Sequence, residues 1–309
     1  MSAPAIRRIA FIGLGLIASS MCRAIREGGL AAEIVGTARS AETRETAREI
    51  GLCNRVVDTP AEAVAGADVV VLAVPVGAMD AVAAEIAGHL ARDAIVTDVG
   101  SVKRSVIDQV LPQLPEGVHF VPAHPIAGTE HSGPRAGFAE LFEGRWCILT
   151  PLPGTEPEAV ERIERLWRDM GAMVDRMDPE HHDLVLAVTS HAPHLIAYTM
   201  VGVADDLRRV TDSEVIKYSA AGFRDFTRIA ASDPTMWRDV FLHNKEATLE
   251  ILGRFTEELF VLQRAIREGD GEFLHDYFAR TRAIRRGIIE AKQDVDAPDF
   301  GRVVLKKNG

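Results

Sequence analysis

The stretch RRIAFIGLGLIASSMCRAIREGG, residues 7–29, decides the fold. Its pattern predicts an apolar strand over 8–12 and a helix over 20–27. The turn between them has the spacing G-x-G-x-x-A, made by Gly13, Gly15 and Ala18. The first glycine permits a tight turn, the second lets the backbone approach a pyrophosphate, and the small third residue lets helix pack on strand. Because a second strand is predicted over 33–37, we interpret the stretch as a dinucleotide-binding unit rather than a mere tight turn.

The residues after the second predicted strand indicate which dinucleotide binds. They read Thr37, Ala38, Arg39, Ser40 and contain no carboxylate to hold the ribose hydroxyls of NAD. Arg39, flanked by hydroxyl groups, suits a 2′-phosphate, with Ser40 beside it. The sequence therefore favours NADP over NAD. The alternatives are that Arg39 is solvated, or stacks on adenine with either cofactor.

The alternation of strand and helix continues and predicts the domain organisation. A helix is expected over 156–170, and strands are expected over 66–76, 117–125, 144–151 and 171–178. Residues 93–103 are expected to form a strand and a loop that ends in Gly100 and Ser101, before a helix that begins near Lys103. We therefore expect an α/β fold with a doubly wound, Rossmann-like dinucleotide-binding domain over 1–178. From 179 onward long helical patterns replace the strand signals, which predicts an all-α substrate and dimerisation domain over 179–309.

Composition limits the partners and the compartment. The chain has 309 residues, a formal net charge of −10 and no Lys/Arg-rich block, so nucleic-acid binding is not expected. The three cysteines, Cys22, Cys53 and Cys147, are widely spaced and match no zinc motif, which is typical of reduced thiols in the cytoplasm. The N-terminus lacks the apolar core of a signal peptide.

One apolar run, residues 184–204, contains no Asp, Glu, Lys or Arg. A run of about 20 residues could span a bilayer. However, its centre holds Ser190, His191, Pro193 and His194. We expect a buried helix or a subunit interface rather than a membrane span, and a homodimer formed through the helical domain.

Histidines near the carboxyl edge of the predicted sheet are the candidates for acid–base chemistry. His124 follows a predicted core strand and precedes Pro125, so its backbone is stiff, and a histidine there can take the proton of an alcohol during oxidation. The alternative is a ring that only bonds the loop backbone. His131 is a weaker candidate for contacting ligand. His181 and His182 are expected to be solvated or to cap a helix, and no metal site is expected, because His191 and His194 lack a third ligand.

The motifs GLGLIASS, DVGSVK, HPIAGTEHSG, TSHAPH and FRDFTRIAASDPTMWRD occur in this order. On them the chain resembles the prephenate/arogenate (cyclohexadienyl) dehydrogenases of tyrosine biosynthesis over roughly residues 8–290. The resemblance implies an oxidative decarboxylation in which hydride passes to NAD(P)+ and the ring loses CO₂ and becomes aromatic. The resemblance does not decide whether the substrate is arogenate or prephenate.

The resemblance also implies roles for particular residues. His124 matches the catalytic histidine at the substrate hydroxyl, and Ser101 matches the serine between that histidine and the nicotinamide. Arg228 matches the arginine that binds a substrate carboxylate, with Asp225, expected one helical turn before it, as its partner. The alternative for this pair is an ordinary surface ion pair. The remaining positions that line or gate the pocket are Thr129, Glu130, Ser190, His194 and Trp237. His131 stands where many relatives are expected to have a lysine or asparagine, and it is a candidate for contacting the substrate side chain. The cofactor positions are Gly13, Gly15, Leu16, Ile17, Ala18, Arg39, Ser40, Val74, Pro75 and Ser101.

Two other classes remain open at this stage. A β-hydroxyacid or 6-phosphogluconate-type dehydrogenase would place a lysine base early in the second domain, yet no lysine occurs between 179 and 216 and Lys217 comes late. A non-catalytic dinucleotide-binding sensor would tolerate the loss of His124, Ser101 or Arg228, and all three are present.

Overall fold

The N-terminal βαβ unit has the predicted form. The computed structural model describes residues 6–129, 131–208 and 220–290. β1 (Ile6–Ile12) pairs in parallel with β2 (Ala31–Thr37), and α1 (Leu16–Gly28) joins them. The helix ends at Gly29, whose φ of 61° places it in the left-handed conformation that favours glycine. The predicted strand, turn, helix and strand are therefore confirmed.

A six-stranded parallel sheet forms the centre of the dinucleotide-binding fold, with the strand order β3-β2-β1-β4-β5-β6. Its further strands are β3 (Arg55–Val56), β4 (Val69–Leu72), β5 (Ile95–Asp98) and β6 (His119–Val121). The helices that accompany them are α2 (Ala41–Glu49), α3 (Pro60–Val64), α4 (Met79–Ile86) and α5 (Arg104–Val110). All four residues of β4 are buried, as expected for a parallel strand covered on both faces. The predicted doubly wound fold is confirmed.

The prediction of one strand over 117–125 is wrong. The chain forms β6 and then, after Pro122, a separate strand β7 (Ala123–Pro125) in a second sheet. Proline has no N–H to donate, so it interrupts a ladder. β7 pairs antiparallel with β8 (Trp146–Leu149), which pairs in parallel with β9 (Met173–Arg176), and α6 (Pro157–Asp169) connects the last two. This change of sheet fixes the backbone of His124 against Ile148.

The described residues after 178 are helical, as predicted. A continuous helical segment consists of α7 (Pro179–Leu186), a π-helical turn (Ala187–His191) and α8 (Ala192–Arg208). The remaining helices are α9 (Ala221–Thr227), α10 (Pro234–His243), α11 (Lys245–Glu268) and α12 (Gly271–Glu290). Asp178 and Asp233 cap α7 and α10 with their carboxylates.

Contacts divide the chain into two compact units. The first runs through Val201 and includes residues 228–248, so it contains both sheets, α7, the π turn and α10. The second consists of residues 202–227 and 249 onward. The boundary at 178 remains a prediction. Two residues discussed above, Glu130 and Lys217, lie outside the described residues.

The segment Pro179–Asp206 is long and apolar enough to cross a membrane by length and composition, and 28% of its most apolar window is buried. Several of its large apolar side chains are exposed, namely Val188, Met200, Val201 and Val203. Of the two expected alternatives, a helix buried within this chain does not account for these exposed side chains, and a subunit interface stays a prediction.

Candidate active site

His124 is a buried, uncharged histidine at the carboxyl ends of β5 and β6. Its residue exposure is 7%, and its backbone lies in the β7–β8 ladder. Burial lowers the pKa of His124 well below its usual value, and the nearby His182, Lys103 and His191 act in the same direction. The ring is thus neutral at physiological pH, which is the state a base requires.

His182 contacts His124 directly, which corrects the expectation that it is solvated or only caps a helix. Its Nε2 lies 2.9 Å from Nδ1 of His124, and its side chain is fully buried. The reason is helical periodicity: residues 182, 183 and 186 of α7 face inward, whereas His181 faces solvent. The signal available in the sequence was the spacing of four residues between His182 and the apolar Leu186.

Asp183 joins α7 to the start of α5. Its Oδ1 accepts a hydrogen bond from the backbone N–H of Lys103 at 2.8 Å, and its Oδ2 accepts one from Arg104 at 2.9 Å. The same Oδ1 lies 2.8 Å from Nδ1 of His182. The carboxylate therefore caps a helix and orients a histidine at once.

A buried ion pair holds the loop of the DVGSVK motif. Lys103 and Asp98 are fully buried, and Nζ of Lys103 bonds the Asp98 carboxylate and, at 2.7 Å, the carbonyl oxygen of Ala123. Asp98 also accepts from the N–H groups of Gly100 at 2.7 Å and Ala123 at 3.2 Å. These bonds tie the Ser101 loop to the residue that precedes His124. The sequence did not predict this buried ion pair, because a lysine five residues after an aspartate forms no distinctive pattern.

The π turn places two further histidines beside Trp237. His194 stacks on the Trp237 ring with centroids 3.7 Å apart, and the His191 ring meets the same indole at 6.1 Å, edge-on. Asn244 donates from Nδ2 to the carbonyl of Asp183 at 2.8 Å and to Nδ1 of His191 at 3.0 Å. Burial lowers the pKa of His191 to about 4. Single π turns frequently occur at functional sites.

Ser190 lies in the π turn, where its carbonyl oxygen is 2.8 Å from Nδ1 of His194. Burial lowers the pKa of His194, and the positive charge of Arg228 contributes. Arg228 is half-buried and begins a 3₁₀ turn (Arg228–Ala231), since α9 ends at Thr227. The helix predicted to hold both residues therefore changes from α to 3₁₀ between Asp225 and Arg228. Their predicted pairing and roles stay predictions.

The loop that carries the weaker candidates lies on the surface. Thr129 and His131 are both exposed, and the bond between them is local, from the His131 N–H to Oγ1 of Thr129 at 3.2 Å. Among the described residues no hydrogen bond joins this loop to His124 or its neighbours. The structure therefore brings together His124, His194 and Trp237 with the unpredicted His182 and Asp183, but not Thr129 or His131.

The glycine turn fits a dinucleotide phosphate. Gly13 has a φ of 98°, and a Cβ there would lie 2.3 Å from the carbonyl oxygen of Ala73, so only glycine is accommodated. A Cβ at Gly15 would meet nothing within 4 Å, which leaves open space at the start of α1, and Ala18 is fully buried. The first turn of α1 has no acidic residue, so its N–H groups can receive an anion.

The adenosine end of the same fold is also organised by side chains. Thr37 is buried, Arg39 is exposed, and Ser40 caps α2 by accepting from the N–H of Thr43 at 3.0 Å. Arg44 donates to the carbonyls of Ala38 at 2.6 Å and Arg39 at 3.1 Å. Arg44 therefore supports the loop that presents Arg39.

Two remaining observations concern cysteine and metal. The fold brings the free thiols of Cys22 and Cys53 to 4.0 Å, although they are distant in sequence. No group of three or more His, Cys, Asp or Glu side chains that could hold a metal occurs within residues 6–129, 131–208 and 220–290.

The glycine turn after β1 can accept a dinucleotide phosphate, and His124 is a buried, neutral histidine near the carboxyl ends of the parallel strands. This combination characterises an oxidoreductase that depends on a nicotinamide dinucleotide. Comparisons with known proteins specify it further. The family described as "Prephenate dehydrogenase, nucleotide-binding domain" matches residues 21–176, and "Prephenate dehydrogenase, dimerization domain" matches 178–280. The chain belongs to the prephenate dehydrogenase family.

Individual relatives agree with this assignment. The chain is 44% identical over 268 residues to a cyclohexadienyl dehydrogenase of Zymomonas mobilis, covering 87% of this chain and 91% of that protein. It is 35% identical to the prephenate dehydrogenase of Bacillus subtilis, covering 86% and 72%. The Aquifex aeolicus prephenate dehydrogenase, solved with hydroxyphenyl propionate and NAD+, superimposes with a TM-score of 0.84 at 34% identity and covers 93% and 100%. Of the three classes that the sequence left open, these findings support the first.

Proposed function

We propose that the protein oxidatively decarboxylates L-arogenate, prephenate or both, which yields tyrosine or 4-hydroxyphenylpyruvate. The observation that carries the proposal is His124, a buried histidine kept neutral beside the loop of Ser101 in a chain of this family. The nicotinamide ring, when bound, accepts a hydride from the ring carbon that bears the hydroxyl group. Nε2 of His124 accepts the hydroxyl proton as that carbon becomes a carbonyl.

Decarboxylation then needs little help from the protein. The dienone is a vinylogous β-keto acid, so the ring carboxylate leaves as CO₂ and the ring becomes aromatic. The role left for the side chains is to orient the substrate. Arg228 binds a substrate carboxylate as a fixed guanidinium, with Asp225 as its partner, while Trp237, His194 and Ser190 line the pocket. Thr129 and Glu130 line or gate the pocket, and His131 is the candidate for contacting the substrate side chain.

The assay that tests this function measures absorbance at 340 nm with four mixtures. Prephenate and L-arogenate are each incubated with NAD+ and with NADP+, and tyrosine and 4-hydroxyphenylpyruvate are identified by chromatography. Reduction with one or both substrates is expected, and the ratio of kcat/KM values ranks the two. Absence of reduction in all four mixtures, from folded protein, would contradict the proposal.

The cofactor is NAD or NADP, and we propose NADP as the preferred one. The phosphate-accepting turn with Gly15 suits either, whereas Arg39 and Ser40 after β2 suit a 2′-phosphate. Arg39→Ala should raise KM for NADP+ and leave KM for NAD+ unchanged. Equal effects on both would indicate adenine stacking. The control is Arg55→Ala, an exposed arginine in the neighbouring strand β3.

The functional unit that we propose is a homodimer in the cytoplasm. The second compact unit carries many exposed large apolar side chains: Val203, Phe226, Leu249, Leu259, Phe260, Ile266, Phe273, Phe278 and Ile284. Such surfaces mark association sites, and the family description of this region as a dimerization domain supports the proposal. Neither a membrane nor a nucleic acid is expected as a partner.

A further inference from the structure

We propose that His182 is a positioning residue that holds His124 in the one tautomer whose Nε2 can accept a proton. The observation is a continuous chain of hydrogen bonds from Asp183 through His182 to His124, all three of them buried. The inference rests on the proposed function, in which His124 is the base. It assigns a role to two residues that the substrate need not touch.

Backbone N–H groups fix Asp183, the end of the hydrogen-bond chain that lies farthest from His124. Both oxygens of Asp183 accept N–H groups at the start of α5, from Lys103 at 2.8 Å and from Arg104 at 2.9 Å. Because these donors lie on two successive peptide units, the carboxylate cannot rotate without losing one of them. An Asp carboxylate accepts hydrogen bonds and has none to donate. The nitrogen of His182 that faces it must therefore carry the proton.

This requirement fixes the tautomer of His182. Its Nδ1 lies 2.8 Å from Oδ1 of Asp183, so Nδ1 is the protonated nitrogen. Burial lowers the pKa of His182, which keeps the ring neutral near pH 7. A neutral imidazole has one donor and one acceptor nitrogen. Nε2 of His182 is consequently an acceptor.

The tautomer of His182 in turn fixes the tautomer of His124. Nδ1 of His124 lies 2.9 Å from that acceptor, so Nδ1 of His124 must donate. Since His124 is also neutral, its Nε2 is left with a lone pair. Within the described residues Nε2 of His124 has no hydrogen bond to protein, and it is not among the fully enclosed polar atoms without a partner. The free lone pair is therefore available to a substrate hydroxyl.

The chain of hydrogen bonds also stabilises His124 after proton transfer. When Nε2 takes the substrate proton, His124 becomes an imidazolium whose Nδ1–H points at the lone pair of His182, and Asp183 supports that ring from the other side. A carboxylate that orients a catalytic histidine in this way fixes its tautomer and stabilises its charged form in serine proteases. Here a second imidazole stands between the carboxylate and the base.

Two substitutions of His182 separate positioning from structure. His182→Asn keeps an amide at the position of Nδ1, where it can still donate to Asp183, but is too short to reach His124. His182→Gln places its carbonyl oxygen near the position of Nε2, where it can accept from His124, and loses the bond to Asp183. Each variant thus loses one bond, and only Gln retains the acceptor for the base.

We expect kcat of His182→Asn to fall by about 100-fold or more with little change in KM, and kcat of His182→Gln to stay within about tenfold of wild type. Melting temperatures of the two variants should fall by similar amounts. A merely structural role would instead lower both activities in proportion to stability. Equal kcat values for the two variants, or a His182→Asn enzyme within threefold of wild type, would overturn the proposal.

A measurement without substrate keeps this inference separate from the proposed reaction. Imidazole ¹⁵N chemical shifts distinguish protonated from unprotonated ring nitrogens, and His124→Asn identifies the His124 signals in ¹⁵N-histidine-labelled protein. The expected wild-type signature is a protonated Nδ1 and a bare Nε2 on His124, lost or mixed in His182→Asn. A wild-type ring protonated at Nε2 would overturn the tautomer assignment, whether or not either substrate is turned over.

Discussion

At the scale of single residues, the environment of His124 decides its chemistry. Removal from water disfavours the imidazolium, and the positive charges nearby add to that effect. At the same time the ring keeps one nitrogen bonded to protein, through His182. A ring that is buried, neutral and held from one side is well suited to take a proton from the other.

His124→Ala should lower kcat by about 10²–10⁴-fold, because general-base catalysis is lost. The dinucleotide Kd, measured by quenching of protein fluorescence, should change less than twofold, since the glycine turn lies on the other sheet. The matched control is His119→Ala at β6, five residues earlier in the chain, which should leave kcat near wild type. A His124→Ala enzyme with ordinary turnover would refute the base assignment.

Arg228→Ala should mainly raise KM for the substrate, by about tenfold or more, because a charge-assisted bond to a carboxylate is removed. Arg228→Lys should recover part of the affinity as a point charge without the bidentate geometry. The measurement is steady-state kinetics at saturating cofactor. An unchanged KM together with a lowered melting temperature would show that Arg228 is structural.

At the scale of elements, the residue between α10 and α11, Asn244, connects neighbouring helices through its side chain. Asn244 follows α10, and its side-chain amide reaches both the Asp183 carbonyl in α7 and the His191 ring in the π turn. One buried side chain therefore connects three helical elements. The loss of a buried amide with two bonds leaves two partners without a donor.

Asn244→Leu should lower the free energy of unfolding by about 1–3 kcal/mol, because both partners remain buried and unpaired. Urea denaturation followed by circular dichroism measures the change. The control is Glu246→Gln, an exposed position two residues on, expected within about 0.5 kcal/mol of wild type. Equal stability of Asn244→Leu and wild type would mean that water replaces the amide.

The elements also show what the sequence could and could not predict. Strong local patterns made two features predictable. They are the strands that are buried on both faces, such as β4, and the glycine turn before α1. The split at Pro122 was not, because β6 and β7 are equally apolar and only their partners differ. His124 was predictable from its strand end and Pro125. The spacing of His182 and Leu186 indicates that His182 is buried, but local spacing does not encode its contact with His124. The contacts of Lys103 and Asn244 likewise join residues that are distant in sequence.

At the scale of the whole molecule, the buried histidines couple stability to pH. Burial lowers the pKa values of His124, His182, His191 and His194 in the folded state, in the case of His191 to about 4, whereas the unfolded chain titrates near 6.5. Below about pH 6.5 the unfolded state therefore binds more protons than the folded one. Stability is fully present above that pH and is lost as the pH falls toward the folded-state values.

The free energy of unfolding should fall between pH 6.5 and 5, by up to about 1.4 kcal/mol per pH unit for each histidine that stays neutral. Urea titrations at half-unit intervals measure the slope. His191→Asn should make the slope shallower, and His275→Asn, whose side chain is 80% exposed, should leave it unchanged. A flat profile across this range would contradict the buried neutral histidines.

Association is the second property of the whole molecule. Sedimentation equilibrium at micromolar concentration should give twice the 33.6 kDa of one chain. Phe260→Glu on α11, where the native side chain is 64% exposed, should shift the mass toward the monomer because it places a charge in an apolar contact. Glu257→Gln on the same helix is the control. A monomeric wild-type chain would remove the proposed dimer.

The π turn at Ala187–His191 also sets an angle. Each residue advances an α-helix by about 100° around its axis, so one residue more or fewer re-phases everything that follows. The wider π turn accommodates one residue more than an α-helical turn does, so the same residues wound as an uninterrupted α-helix would rotate α8 by about 100° relative to α7. His182 would keep its place, but His194 would leave the face of Trp237. The π turn thus sets the rotational phase between the helix that carries His182 and the helix that carries His194.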